Sequence, residues 1–417
     1  MLVENEYLLT NLRLPAYCND SLKHVIEIVG SNEMIDDVIS ELKKLQKSIE
    51  IYSKSENAFM HIETIESIYM IMEKMYKSKN YLEVNRGLTL EQNNLPVDLK
   101  KRIERFANYF SKIAVDIKDY TKLDKFTNEF SEYYGSNVEV PLKEIIDPNG
   151  FDGLSLIEAK LGLAQEKENK IKRIVDNRIL SALMSNEIEI NLHLNDFKKV
   201  MEEYPEDTRN KSIKSFDINL FITKIDNEYN IVIGPNKGSI KAGSMFQRFA
   251  SVFDEKLSEE YNEIYEDEIN ISKDEYILVE SRGLAQSGRS NNVTNRFKNH
   301  NHYLPIALTE EDTSHQIVLD DLLIGLSRDR KLYIKSKNKN RICKIVNDNM
   351  LNTTATGKIL NLLMEISSEY EERFIDRLYF LFENKYVYIP RINFEGITIQ
   401  PRRWVIPFDR LELDTLK

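Results

Sequence analysis

Arg248 closes the stretch GSIKAGSMFQRFA, in which Gly243 and Ser244 are small enough to let a backbone approach a ligand. Its guanidinium fork can grip a carboxylate or a phosphate with two hydrogen bonds. Taken alone, the same arginine reads more simply as a helix-surface residue. The segment GRSNNVTNRFKNHN gathers Arg289, Arg296 and Lys298 with amide side chains such as Asn292, a mixture suited to phosphate or peptide-backbone contacts and equally to a polar loop. KSKNKNRICK concentrates Lys335, Lys337, Lys339, Arg341 and Lys344, which could face nucleic acid or form a solvated turn between strands. His300 and His302 stand two apart, as a metal pair on one side of a strand would, but no carboxylate or thiol supports them at ligand spacing, and a surface loop explains them better. A P-loop, a dinucleotide fingerprint, an HExxH helix and a nucleophile elbow are all missing from the sequence. Any chemistry must rest on constellations assembled by the fold.

The elements that would assemble them change character along the chain. From Asp20 to Lys77 apolar residues recur every three to four positions, which predicts amphipathic helices, and LPVDLKKRIERFANYFSKIAVDI repeats the pattern after an alternating segment, Tyr81 to Asn85, that reads as a half-buried strand. A helix over Leu123 to Tyr134 should stop at Gly135 before the extended VEVPLKEIID. AQEKENKIKRIVDNRILSALMS is helical, whereas SFDINLFITKIDNEYNIVIGP, EYILVES, HYLPIAL, HQIVLDDLLIGL and KLYIKS have the composition of strands. KILNLLMEIS returns to helix, and KYVYIPRINFEGITIQPRRWVI reads as a closing hairpin. The fold class is therefore α+β, a helix-rich first half packed with mainly antiparallel strands of the second half.

Bulk properties narrow the function classes. In 417 residues, 68 acidic against 57 basic side chains leave a formal charge of −11, which argues against general attraction to phosphate backbones without excluding a local basic face. The acidic run Glu255 to Glu268 reads as a solvated helix face. Cys18 and Cys343 are too far apart in sequence to suggest a disulfide framework and fit a reducing cytosol. No apolar run has the length of a membrane span, and the N-terminus lacks the pattern of a signal peptide, so the expected location is cytoplasmic, with no membrane insertion.

Several segments together resemble the glutamylation region of class I lanthipeptide (lantibiotic) dehydratases of the nisin type. FTNEFSEYYGSNVEVPLKEIIDPNGFDGL and YIPRINFEGITIQPRRWVI carry the longest similarity, and they stand in the family's order. Between them IKAGSMFQRFA, SGRSNNVTNRFKNHNHYLPIAL and QIVLDDLLIGLSRDRKLYIKS are similar to a small-residue loop ending in Arg-Phe, a segment with an Asn-Val pair, and a strand pair. ENEYLLTNLRLP resembles the end of the family's precursor-binding module. The resemblance divides the chain into residues 1–15, a remnant of that module; 16–150, the helical part of the glutamylation domain; and 151–417, its α+β part. It also implies that only an internal portion of a dehydratase is present, as in a split enzyme.

What the resemblance implies is a two-stage reaction. A Ser or Thr hydroxyl of a ribosomal precursor peptide takes glutamate from glutamyl-tRNA, and elimination of glutamate then leaves a dehydroamino acid. The first stage concerns this chain. Its partners would be the precursor peptide, glutamyl-tRNA as co-substrate, and dehydratase subunits carrying the N-terminal and elimination portions, with no further cofactor and no metal. Arg248 matches a loop arginine implicated in glutamylation, and Asn85 stands where relatives commonly have an aspartate, so Arg248 and Asn85 are the expected catalytic positions. Ser244, Arg289, Asn292 and Arg296 are the expected substrate-binding residues, and Lys335, Lys337, Lys339 and Arg341 the expected tRNA-binding cluster. Competing readings are a non-catalytic scaffold subunit or decayed fragment, and a ligase that appends an amino acid from aminoacyl-tRNA to a peptide without elimination.

Overall fold

Helices dominate the first part of the chain because its apolar residues sit at helical spacing. The computed structural model describes residues 10–12, 14, 18, 20–55, 58–87, 94–113, 123–157, 166–203, 215–234, 239, 241–253, 255–283, 293–294, 301–306, 313–351, 356–368 and 386–406. Helix α1 (Ser21–Val29) starts at Asp20, whose carboxylate accepts from the Lys23 backbone N–H at 2.9 Å and satisfies one of the open donors of the first turn. It is followed by α2 (Asp36–Lys54), α3 (Ala58–Met75), α4 (Val97–Lys112) and α5 (Asp124–Tyr133). Gly135, just beyond α5, takes a left-handed φ of 87°, the stop its position predicts. Later helices are α6 (Leu142–Ile145), α7 (Glu166–Met184), α8 (Lys198–Glu203), α9 (Glu255–Ser272) and α10 (Lys358–Ser368).

Two larger sheets hold most of the strands. The six-stranded sheet runs β1 (Glu139–Pro141), β7 (Leu322–Leu326), β8 (Leu332–Ser336), β9 (Arg341–Val346), β5 (Ile277–Gly283) and β6 (Tyr303–Ile306). The five-stranded sheet runs β2 (Glu189–Leu192), β11 (Arg391–Phe394), β12 (Ile397–Gln400), β4 (Glu228–Ile233) and β3 (Leu220–Ile225). A short pair, β10 (Tyr388–Ile389) with β13 (Arg403–Trp404), extends the closing hairpin. Both sheets are mixed: β5 pairs parallel with β6 and β9, and β2 and β4 pair parallel with β11 and β12, while the remaining ladders are antiparallel. Tight turns explain two of the antiparallel pairs. Asp226 and Asn227 at φ 49° and 66° join β3 to β4, and Glu395 and Gly396 at 48° and 80° join β11 to β12, the backbone signs that suit the twist of a two-residue hairpin.

Among the described residues two large apolar cores result, with a small third cluster of Tyr265, Leu278 and Val346. One packs Phe106 and Phe110 of α4 with Ile179 of α7, Phe197, and Ile392 and Phe394 of β11; the Phe106 and Phe110 rings stack at 5.1 Å and Phe394 meets Phe106 edge-on at 6.0 Å. The other packs Phe126 and Phe130 of α5 with Val279, Ile324, Ile345 and Leu363. Each core draws side chains from both sides of residue 150, so the helical and α+β segments interdigitate. Buried Cys343 belongs to the second core, and burial pushes its thiol up to about 12.

Two expected extended segments fold otherwise: Leu142–Ile145 within VEVPLKEIID is the helix α6, and no strand forms at Tyr81 to Asn85. Tyr81 to Asn85 carries no regular secondary structure and joins none of the sheets. Tyr81 meets Tyr69 of α3 edge-on at 5.4 Å, while Glu83, Val84 and Asn85 stay exposed. Among the described residues, no helix is long and apolar enough to cross a membrane.

Candidate functional site

The chain leaves β4 at Gly234 and forms the small-residue loop whose backbone is gripped by one acid. Asp217 lies just before β3, and its Oδ1 accepts from the Gly243 N–H at 2.7 Å while its Oδ2 accepts from the Met245 N–H at 3.0 Å and the Ser239 hydroxyl at 2.9 Å. The Asp217 N–H donates in turn to the Ser239 carbonyl at 3.0 Å. Such charge-assisted bonds to amides fix a turn far more firmly than sequence propensity does. Gly243 adopts φ 90°, and the hydroxyl of Tyr261 on α9 donates to its carbonyl at 2.8 Å. Small residues are required here by close approach, as the sequence suggests.

A short 3₁₀ helix, Gln247–Val252, follows the loop and carries Arg248. The Arg248 guanidinium lies 4.4 Å from the Phe249 ring centroid and reaches Glu83 Oε1 at 3.4 Å, with its side chain 29% exposed. That single long contact occupies little of a five-donor fork. Ser244 and Gln247 are buried, and Ser244 Oγ and Gln247 Oε1 find no hydrogen-bond partner among the described residues. Buried polar atoms of this kind call for an explanation, and a bound polar ligand is one.

The two expected catalytic positions lie on touching segments. Glu83 binds Arg248, and a Cβ on Gly87 would stand 2.7 Å from the Val252 carbonyl oxygen, so residues 81–87 lie directly against the 3₁₀ helix. Asn85 is exposed between these two contacts. The carboxylate facing Arg248 is that of Glu83, two residues before the position where the family resemblance leads one to expect an acid.

The basic segment is differently placed. Lys335 on β8 is held by both carboxylate oxygens of Glu139 at 2.9 Å, and the Arg341 guanidinium donates to the Lys273 carbonyl. Lys337 and Lys339 stand exposed on the turn between β8 and β9. Strand β9 leads from this turn towards Asp348, whose carboxylate accepts from the Lys241 ammonium in the loop before Arg248. Arg289, Asn292 and Arg296 lie outside the described residues. His302 sits 6.0 Å from His315 between ring centroids, and burial first, then Lys339, keeps its pKa below the ordinary range. No group of three or more His, Cys, Asp or Glu side chains among the described residues is arranged to hold a metal ion.

Sequence reasoning missed two sets of residues. One is the anchorage of the loop, Asp217 with Lys241, Glu268 and Asp348. The other is a buried pair on β5, where Arg282 Nε donates to Glu280 Oε2 at 3.1 Å and the guanidinium carbon lies 3.7 Å from the Tyr303 ring centroid. The signal for the pair is present in EYILVESRG: opposite charges two apart share one face of an otherwise apolar strand.

Comparison with known proteins places the chain in a family. The family model described as lantibiotic dehydratase, N terminus, matches residues 1–417. The chain is 24% identical over 427 residues to the subtilin biosynthesis protein SpaB of Bacillus subtilis and 23% identical over 417 residues to the nisin biosynthesis protein NisB of Lactococcus lactis subsp. lactis, in each case covering 97% of this chain and 40% of the relative. It thus spans well under half the length of the curated relatives it matches. Among solved structures it is similar to the tRNA dependent lantibiotic dehydratase MibB from Microbispora sp. 107891, with a TM-score of 0.73 and 17% identity over 97% of this chain and 40% of that one. The glutamylation domain TbtB from thiomuracin biosynthesis is similar at a TM-score of 0.50 and 12% identity, over 88% of this chain and 46% of that one. These structural likenesses establish a shared fold.

Proposed function

This chain belongs to the lantibiotic dehydratase family, in the N-terminal region that its model describes, and on that premise we propose that it carries part of the glutamyl-transfer site. In the proposed reaction the hydroxyl oxygen of a precursor Ser or Thr bonds to the ester carbonyl carbon of glutamyl-tRNA. The ester bond to the tRNA breaks, and the hydroxyl proton ends on the departing ribose oxygen. Elimination of the glutamate follows in a portion of the dehydratase outside this chain. The chain therefore works with the remainder of a dehydratase, with precursor peptide and with glutamyl-tRNA, in the cytoplasm where charged tRNA is found.

The observation that carries this reading is the presentation of Arg248. Its loop is clamped by Asp217, its fork is only partly occupied by Glu83, and buried Ser244 and Gln247 stand beside it with polar atoms to satisfy. Acyl transfer of this kind needs cationic donors for negative charge on the donor ester more than it needs a nucleophilic triad, because the attacking hydroxyl comes from the substrate. Asn85 can position by donating and accepting hydrogen bonds, but its amide has no proton-accepting role at neutral pH. Lys337 and Lys339, exposed on the turn, and Arg341, exposed beside them although it donates to the Lys273 carbonyl, are the cations of the basic segment offered to tRNA phosphates.

Arg248→Ala, in a dehydratase reconstituted from this chain and the portions its relatives carry beyond the match, is expected to slow glutamate transfer to the precursor by about 100-fold or more, the usual cost of removing one donor to developing negative charge. Peptide affinity should stay unchanged. Transfer at the original rate would remove Arg248 from the site.

A further inference from the structure

Beneath the Arg248 loop lies a cluster of charges that the transfer chemistry itself does not use. The Lys241 ammonium, on a side chain 16% exposed, donates to Asp348 Oδ1 and lies 3.5 Å from Glu268 Oε2. Asp348 is buried just beyond β9, and Glu268 lies on α9, where it also accepts from the Ser215 hydroxyl. Lys241 thereby ties the loop to a strand end and a helix at once. Burial opposes the charge on its ammonium, but Asp348 and Glu268 overcome that opposition and hold its pKa above the ordinary lysine range, so it stays charged at any working pH.

Buried charges are an expensive way to hold a fold together. Apolar packing of the same volume is commonly as stable or more so, whereas a charge pair fixes direction and register. Here the fixed direction is transmitted along a short path. The anchored Lys241 is followed by Gly243 and Met245, whose amides Asp217 grips, and then by the 3₁₀ helix that starts at Gln247 and points Arg248. Tyr261 and Tyr265, on the neighbouring turns of α9, line the same side of the loop: Tyr261 bonds the Gly243 carbonyl, and the Tyr265 hydroxyl accepts from the Asn301 N–H at 3.4 Å.

We propose that Lys241, held between Asp348 and Glu268, is a positioning residue for glutamyl transfer that acts by fixing the direction of Arg248. The inference rests on the reading of Arg248 given above. A displacement of about 1 Å at a reacting centre can cost on the order of 100-fold in rate, so loosening this anchor should be visible in kinetics without any lost contact to substrate.

The test is a double-mutant cycle in the reconstituted dehydratase, with glutamyl-tRNA and a fluorescently labelled precursor peptide, reading single-turnover transfer, peptide Kd and the urea midpoint. Lys241→Met is expected to slow transfer about 10- to 100-fold at unchanged peptide Kd, Lys241→Arg to restore part of the rate, and Lys241→Met with Arg248→Ala to be no slower than Arg248→Ala alone. Should Lys241→Met fail to fold, Asp348→Asn takes its place in the same cycle; failure of both to fold makes the cluster a stability element and overturns the proposal. Full-rate transfer by Lys241→Met, or losses that multiply in the double variant while Arg248→Ala alone is slow, would overturn it and leave the Arg248 reading standing. Full-rate transfer by Arg248→Ala would instead sink that reading, and the inference with it.

Discussion

Arg282→Ala is expected to destabilise the protein by about 3–5 kcal/mol, read as a lowered urea midpoint, because it leaves Glu280 buried without the guanidinium that faces it. Both side chains are inaccessible, at 1% and 0% exposure, so the pair is held away from solvent. The aromatic face of Tyr303 adds to the loss, since the guanidinium carbon lies 3.7 Å from its centroid and the stack vanishes with the side chain. Arg282→Met combined with Glu280→Gln should cost less than Arg282→Ala alone, as the buried carboxylate becomes a neutral amide and most of the arginine's volume is kept. A loss below about 1 kcal/mol for Arg282→Ala, the scale of an exposed ion pair, would show that the pair is not desolvated as the structure places it.

Gly243→Ala should be nearly as damaging, and it strikes the site directly. Two costs combine, each about 1–3 kcal/mol: a non-glycine residue held at φ 90°, and a methyl group forced into a filled space. A Cβ there would lie 2.3 Å from Tyr261 Cε1, and the ring cannot swing aside without giving up its hydrogen bond to the Gly243 carbonyl. Gly135→Ala is the natural control, because Gly135 has a similar φ of 87° but nothing within 4 Å of its Cβ position. The difference between the two variants in thermal unfolding measures the packing cost alone. Equal losses would mean that the Tyr261 contact does not constrain the loop.

The readable parts of the fold are those set by local pattern. Apolar residues at helical spacing placed α4, α5 and α7, and the alternating run SFDINLFITKIDNEYNIVIGP and the closing hairpin KYVYIPRINFEGITIQPRRWVI supply the antiparallel pairs β3–β4 and β11–β12. Tyr81 to Asn85 shows where pattern misleads: its residues alternate in type, but only Tyr81 and Leu82 are partly buried and Val84 is exposed. The basic segment shows a second limit. Composition treats Lys335 and Lys337 alike, but one lies on β8 against Glu139 and the other on an exposed turn.

Of the proposed site, the sequence singles out Arg248 through the family resemblance, since spacing alone reads it as a helix-surface residue, and it points to little beyond it. Glu83 meets Arg248 from 165 positions away, and Asp348 meets Lys241 from 107, separations that no spacing rule connects. Asp217 looked like one polar residue in an alternating strand segment, and its role as acceptor for the Gly243 and Met245 amides exists only once the loop folds back on it.

The central claim is that this chain serves in moving glutamate from tRNA to a peptide hydroxyl, and following the label tests it most directly. Glutamyl-tRNA carrying isotopically labelled glutamate is incubated with precursor peptide and a dehydratase reconstituted around this chain, with the elimination portion inactivated and a reconstituted relative as positive control. The account predicts labelled glutamate in ester linkage on precursor Ser or Thr residues, detected by mass spectrometry and dependent on the tRNA. A precursor that stays unlabelled while the control is labelled, or label that arrives equally well from free glutamate, would contradict it.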